Sequence, residues 1–167
     1  MSLQVGIPLT LLAALLQATV LPRLRIFGGE PDLVLIIVLT WALLDHDREA
    51  MVWAFVGGLW LDLFSGVPIG ISSLILVPIA YVVGLTEAGI YRTNIALPLA
   101  LGGAGALAYH LLFLLALRFL AGMPLSWSEV FFYVTLPSVF FDLVLIYPAM
   151  LLLRRWYNQL HPHQVKI

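Results

Sequence analysis

Between Gly57 and Gly70 the chain reads Gly-Gly-Leu-Trp-Leu-Asp-Leu-Phe-Ser-Gly-Val-Pro-Ile-Gly. One carboxylate, Asp62, is set inside apolar sequence, and the helical pattern then breaks at Ser65, Gly66, Pro68 and Gly70. A charge in such a run is costly in lipid and is expelled from a dry core, so it needs a partner or must face protein or a water-filled cavity. The glycines and the proline beside it leave backbone groups that lipid cannot satisfy. One arrangement meets both demands. The carboxylate of Asp62 accepts from those free N–H groups and ties the end of one membrane helix to the start of the next.

Similar apolar runs fill most of the chain. With 62% hydrophobic and 10% charged residues among 167, and a mean hydropathy of +1.05, polar surface is too scarce to cover a soluble domain. The reading is an integral membrane protein: an all-α, polytopic membrane helix bundle forming a single domain over 1–167. A net charge of −1 gives no basic field for nucleic acid, and the longest basic cluster is the pair Arg154-Arg155. The absence of cysteine excludes disulfides, thiolate metal sites and thiol nucleophiles. The opening Met-Ser-Leu-Gln-Val-Gly-Ile-Pro lacks the positive region of a signal peptide, so the first apolar run is expected to be a retained span.

In chain order, residues 3–21 are long enough to cross at ~1.5 Å per residue against a hydrocarbon core of ~30 Å, with Pro8 as a kink. A turn-rich connection follows, and Pro31 opens a second run, 31–44, with Asp32 where a carboxylate suits the positive end of a helix. The charged window Asp45-His46-Asp47-Arg48-Glu49 separates it from a third run, 50–64. Runs two and three are short, which implies either a thinned bilayer or ends buried by neighbouring helices. Beyond the glycine break come 71–85 with Pro78 inside, 95–117 after a loop carrying Glu87 and Arg92, and 130–153 closing on Arg154-Arg155-Trp156-Tyr157. These make six transmembrane helices.

Six crossings put both termini on one side with Arg48, Arg92, Arg154, Arg155 and Lys166, leaving Arg23, Arg25 and Arg118 opposite. The excess of positive charge makes the terminal side cytoplasmic. Trp41, Trp53, Trp60, Trp127, Trp156 and Tyr157 fall near span ends, where an interfacial aromatic belt would place them.

Asp32, Asp62 and Asp142 each precede leucine in an apolar run, and Asp62 and Asp142 are each followed six residues on by proline, Pro68 and Pro148. Such an echo is one mark of an internal repeat framing a transport site. Asp142 reads either as a proton or cation site near mid-membrane or as a carboxyl that locks helices together. His110, near the outer end of span five, lies within ~6 Å in depth of Asp142 if spans five and six pair antiparallel. That pairing suits a proton relay and equally satisfies two polar groups in a dry bundle. Ala96, Ala100, Ala104 and Ala108 recur every four residues beside Gly102, Gly103 and Gly105. This stripe without bulk is suited to close helix packing, within the chain or with a helix of another protein. His161 and His163 flank Pro162 and read as solvated. No phosphate cradle, zinc spacing or nucleophile elbow occurs, and no catalytic residue, cofactor or metal site is expected.

Pro31-Asp32-Leu33, Trp41-Ala42-Leu43, the Gly57 to Gly70 stretch and the basic, aromatic end Arg154-Arg155-Trp156 together resemble the bacterial rod shape-determining family MreD, as do the length and the six-span layout. The resemblance implies a non-enzymatic component of the cell-elongation machinery in the bacterial inner membrane. It would work with the bitopic protein MreC, the actin-like filament MreB, the glycosyltransferase RodA and its transpeptidase partner. The family is also similar in fold to the substrate-binding subunits of energy-coupling-factor transporters. Two functions therefore stand side by side: a scaffold that holds MreC, and a small-molecule or ion binding or transport subunit. A ligand site gathers several polar side chains in one pocket. The few polar residues of this chain read as scattered, which favours the scaffold.

Overall fold

A computed structural model describes residues 2–23, 28–44, 49–85, 96–120, 122 and 126–160. It is all-helical: α1 Ser2–Thr19 with a 3-10 turn Leu21–Arg23, α2 Leu33–Leu44, α3 Glu49–Ser65, α4 Ile71–Gly84, α5 Ala96–Phe119, then α6 Trp127–Val130 running through a π-helical stretch Phe131–Thr135 into α7 Leu136–Leu160. Most of the charged window at 45–48, the connection at 86–95 with Glu87 and Arg92, and the tail with His161 and His163 lie outside the described residues.

The sequence of α2, Leu-Val-Leu-Ile-Ile-Val-Leu-Thr-Trp-Ala-Leu-Leu, is apolar on every side, and such a helix is stable only when surrounded. Nine of its twelve residues are buried. Around it, α1 packs on α3, α3 on α4, α4 on α5 and α5 on α7, and all five touch α2. The arc stays open between α1 and α7, where an apolar groove of about 310 Å³ runs over α2 between Leu12 and Leu16 on one wall and Pro148 and Leu152 on the other. The outward faces carry exposed Leu12, Phe55, Leu74, Phe132, Phe140 and Leu152, a surface suited to lipid rather than water.

Among the described residues, three stretches are long and apolar enough to cross a membrane: Gln4–Arg23, Ala96–Phe119 and the continuous Trp127–Trp156. The other expected spans are shorter, with 12 residues in α2, 17 in α3 and 14 in α4. At ~1.5 Å per residue each falls below a ~30 Å core. For α2 the reason is its burial. A helix shielded by five neighbours is not held to the lipid thickness.

The aromatic belt needs correction. Trp41 and Trp53 are both 1% exposed, and their rings stack at 4.3 Å and 11°. They stand where the end of α2 faces the start of α3, so the rings that end two short helices pack on each other rather than at the membrane surface. Trp60 is only partly buried, whereas Trp127 and Trp156 are exposed.

The alanine stripe behaves differently from a packed seam. Ala96, Ala100 and Ala104 are exposed, and only Ala108 packs against the core. The adjoining glycines make the close contacts instead: a Cβ on Gly102 would lie 2.9 Å from Ile146, and one on Gly103 2.7 Å from Leu143. Gly105 lies over Leu39 and Ile79. A close backbone approach joins α3 and α4. There Ser73 Oγ donates to the carbonyl of Phe55 at 2.8 Å, and a Cβ on Gly58 would sit 2.5 Å from the Ser73 backbone nitrogen. Backbone cannot swing aside as a side chain can. Gly58→Ala is therefore expected to lower stability by about 1–3 kcal/mol through overpacking, read as a drop in thermal midpoint in detergent. An unchanged midpoint would contradict this contact.

Candidate functional site

The break after α3 is built from the residues that opened the sequence reading. Gly66 ends α3 at φ +70°, and Gly70 precedes α4 at φ +103°, both in the left-handed region that favours glycine. Their added Cβ atoms would meet nothing, so conformation alone requires glycine there. Asp62, 1% exposed, accepts from the backbone N–H of Gly70 at 2.7 Å through Oδ2 and from that of Ser72 at 3.1 Å through Oδ1. A carboxylate on α3 thus caps α4. Ser65 is the exposed last residue of α3, and Pro68 lies in the exposed turn that follows.

A second capped start lies in the same region. Asp32 is the N-cap of α2: its Oδ1 accepts from Leu35 N–H at 2.9 Å, and its backbone oxygen takes the Ile36 N–H. Its own N–H donates at 2.7 Å to Oδ1 of Asp142, which is fully buried on α7. The other oxygen of Asp142 is 2.8 Å from Nε2 of His110 on α5. One carboxylate therefore joins α2, α5 and α7. The sequence placed His110 and Asp142 at compatible depth, and the structure brings them into contact; it adds Asp32 as the third member.

Beside this cluster, Tyr109 OH donates to Ser72 Oγ at 3.4 Å, Gln17 Oε1 accepts from Val34 N–H at 3.4 Å, and Ser138 Oγ accepts from Glu30 N–H at 3.1 Å. A cavity of about 220 Å³ opens among Gln17, Asp32, Ser72, Tyr109, His110 and Ser138. A second, of about 300 Å³, shares Gln17, Glu30, Leu61 and Ser65 with it and extends between α1 and α3. The polar groups are thus not scattered, and the sequence argument against a pocket is overturned. Gln17 ends α1, Asp32 starts α2, Asp62 ends α3 and Ser72 starts α4. Helices that alternate in direction bring those four positions to one end of the bundle. Asp32 had a sequence signal in its Asp-Leu pair, whereas Gln17, Ser72, Tyr109 and Ser138 had none beyond being polar in apolar runs.

The echo of Asp62/Pro68 and Asp142/Pro148 has no structural counterpart as a repeat. Pro68 stands in a turn after α3, whereas Pro148 lies inside α7. Among the described residues no group of three His, Cys, Asp or Glu side chains is placed to hold a metal ion.

Removing the Asp62 acceptor strands two backbone donors, each worth about 1–3 kcal/mol when buried and unpaired. Asp62→Ala should therefore unfold at markedly lower temperature than the parent. Asp62→Asn retains an oxygen for Gly70 N–H but turns an amide N–H₂ toward Ser72, so its midpoint should fall between the two. An Asn variant as unstable as Ala would show that the charge, not the acceptor geometry, holds the turn.

A family model described as rod shape-determining protein MreD matches residues 1–160. No curated protein matches the chain, and no solved structure does.

Proposed function

The chain belongs to the family of rod shape-determining protein MreD, and from that premise we propose that it is a non-enzymatic membrane scaffold of the bacterial elongation machinery. In this reading it binds MreC and supports lateral peptidoglycan synthesis alongside MreB, RodA and the transpeptidase partner of RodA. It crosses the inner membrane six times with both termini cytoplasmic, its shorter helices α2, α3 and α4 crossing within the shelter of the longer ones. The likeness to the substrate-binding subunits of energy-coupling-factor transporters belongs to the same proposal.

The observation that supports a scaffold is the face of α5. Its glycine side is packed on α7, α2 and α4, while Ala96, Ala100 and Ala104 point away from the core and are exposed. Small residues on an outward membrane face let a second helix approach closely enough for backbone and side chain to interdigitate. MreC, with a single membrane helix, supplies a partner of that form.

Because these alanines are exposed, Ala100→Leu and Ala104→Leu should change stability by no more than about 0.5 kcal/mol yet reduce co-purification with MreC. Gly102→Leu, on the packed side, should lower the thermal midpoint instead. Undiminished MreC recovery with both alanine variants would remove this face as the interface.

Topology is tested through the chain's lack of cysteine, which makes any introduced cysteine the only thiol. Positions 25 and 125 should label from outside intact cells and position 46 should not; all three lie outside the described residues. Outside labelling at position 46 would reverse the orientation.

A further inference from the structure

We propose that the groove between α1 and α7 holds a membrane phospholipid, its acyl chain lying on α2 and its phosphate paired with Arg23 at the end of α1. No residue of α5 lines this groove, so the site stands or falls separately from the scaffold reading.

The walls and floor are apolar throughout: Leu12 and Leu16 of α1, Leu33 and Ile37 of α2, Pro148 and Leu152 of α7. Nine of the twelve residues of α2 are enclosed by neighbouring helices, whereas Leu33 and Ile37 stay only partly buried at this opening. In a membrane such an opening is filled by apolar matter, and its size selects which. At a pitch of 5.4 Å and a diameter of about 10 Å, a single helical turn occupies roughly 420 Å³. The groove has about 310 Å³. A methylene group is close to a water molecule in size, roughly 30 Å³, so about ten of them fit. An acyl chain is accommodated where a second helix is not.

Depth and charge point the same way. Leu16 lies seven residues and Leu9 fourteen residues before Arg23, roughly 10 and 21 Å along the helix. Arg23 closes the apolar stretch Gln4–Arg23, so it stands at headgroup level. The groove then lies in the hydrocarbon of the adjacent leaflet, which is half of a ~30 Å core. Leu9, Leu12, Leu16 and Arg23 follow one another at spacings of three, four and seven, so the cation continues the stripe that forms the α1 wall. Arg23 is exposed and has no ion-pair partner among the described residues. Glu30, the nearest acidic residue in sequence, lines the cavity toward α3 instead. A lipid phosphate supplies the missing negative charge, and the Arg23 side chain and the lipid glycerol together bridge the interval to Leu16.

Full-length protein purified in detergent is inspected for retained phospholipid by native mass spectrometry. It is then stripped of lipid and titrated with phosphatidylglycerol, or with diacylglycerol of the same chains, while the thermal midpoint is followed. A single phospholipid should survive purification, and both lipids should raise the midpoint saturably, phosphatidylglycerol at the lower concentration. Ala149→Phe fills the groove from α7 and should abolish both retention and the rise. Should that variant be unstable, Leu12→Trp, at an exposed position on the α1 wall, should do the same. Arg23→Gln should weaken phosphatidylglycerol about fivefold, the worth of one basic residue at a lipid surface, and leave diacylglycerol unchanged. Equal retention by the parent and the groove-filling variants would identify only the exchanging lipid around the protein and overturn the site. The absence of a saturable rise, or an Arg23→Gln variant with unaltered preference, overturns it as well. So does cross-linking of Ala149→Cys to a second copy or to another polypeptide, which would seat protein rather than lipid in the groove.

Discussion

A helix that begins inside a membrane bundle exposes N–H groups that neither lipid nor bulk water can satisfy, and the start of α2 is where this structure meets that constraint. Asp32 caps Leu35, Gln17 reaches Val34 from α1, and Asp142 takes the N–H of Asp32 itself. Each unpaired donor would cost about 1–3 kcal/mol, so the arrangement of α1, α2 and α7 follows from that accounting. The carboxylate of Asp142 must itself be satisfied at full burial, and His110 supplies the second contact from α5. Four helices are thereby fixed at one depth by the needs of one helix end.

The start of α4 repeats the solution with different parts. Here the cap comes from Asp62 on the preceding helix, and glycines at positive φ on both sides of Pro68 let the chain reverse tightly enough for that carboxylate to reach two N–H groups. Gly58 then allows α4 to lie against α3 at backbone distance. Both solutions concentrate polar atoms at the same end of the bundle, since α2 and α4 start at the end where α1 and α3 finish. The cavity at that end is a geometric consequence of capping two buried helices side by side.

What the sequence made legible tracks the strength of each local signal. Asp62 beside Ser65, Gly66, Pro68 and Gly70 combines a costly charge with a chain break, and the capping role follows from those residues without tertiary information. Asp142 and His110 required only a count along two antiparallel helices. The position of α2 at the centre was harder to read, because an all-apolar helix looks the same whether lipid or protein surrounds it; the shortness of the run was its one signal. Trp41 and Trp53 misled for a related reason, since tryptophan near a helix end suits a membrane surface and a stacked core pair equally well. The pocket was missed because its members come from six helices, and no one-dimensional spacing links Gln17 to Ser138.

The placement of α5 connects these features. Its glycines at 102, 103 and 105 allow approach to Ile146 and Leu143 of α7 and to Leu39 of α2, and that approach carries His110, farther along the same helix, to within 2.8 Å of Asp142. The alanines at 96, 100 and 104 take no part in that packing. Small residues therefore serve two different ends on one helix: glycine where this chain's own helices must touch, and alanine on the outward surface. A run that reads in sequence as one featureless stripe is divided by the helical turn into an inner face that sets the polar cluster and an outer face open to another helix.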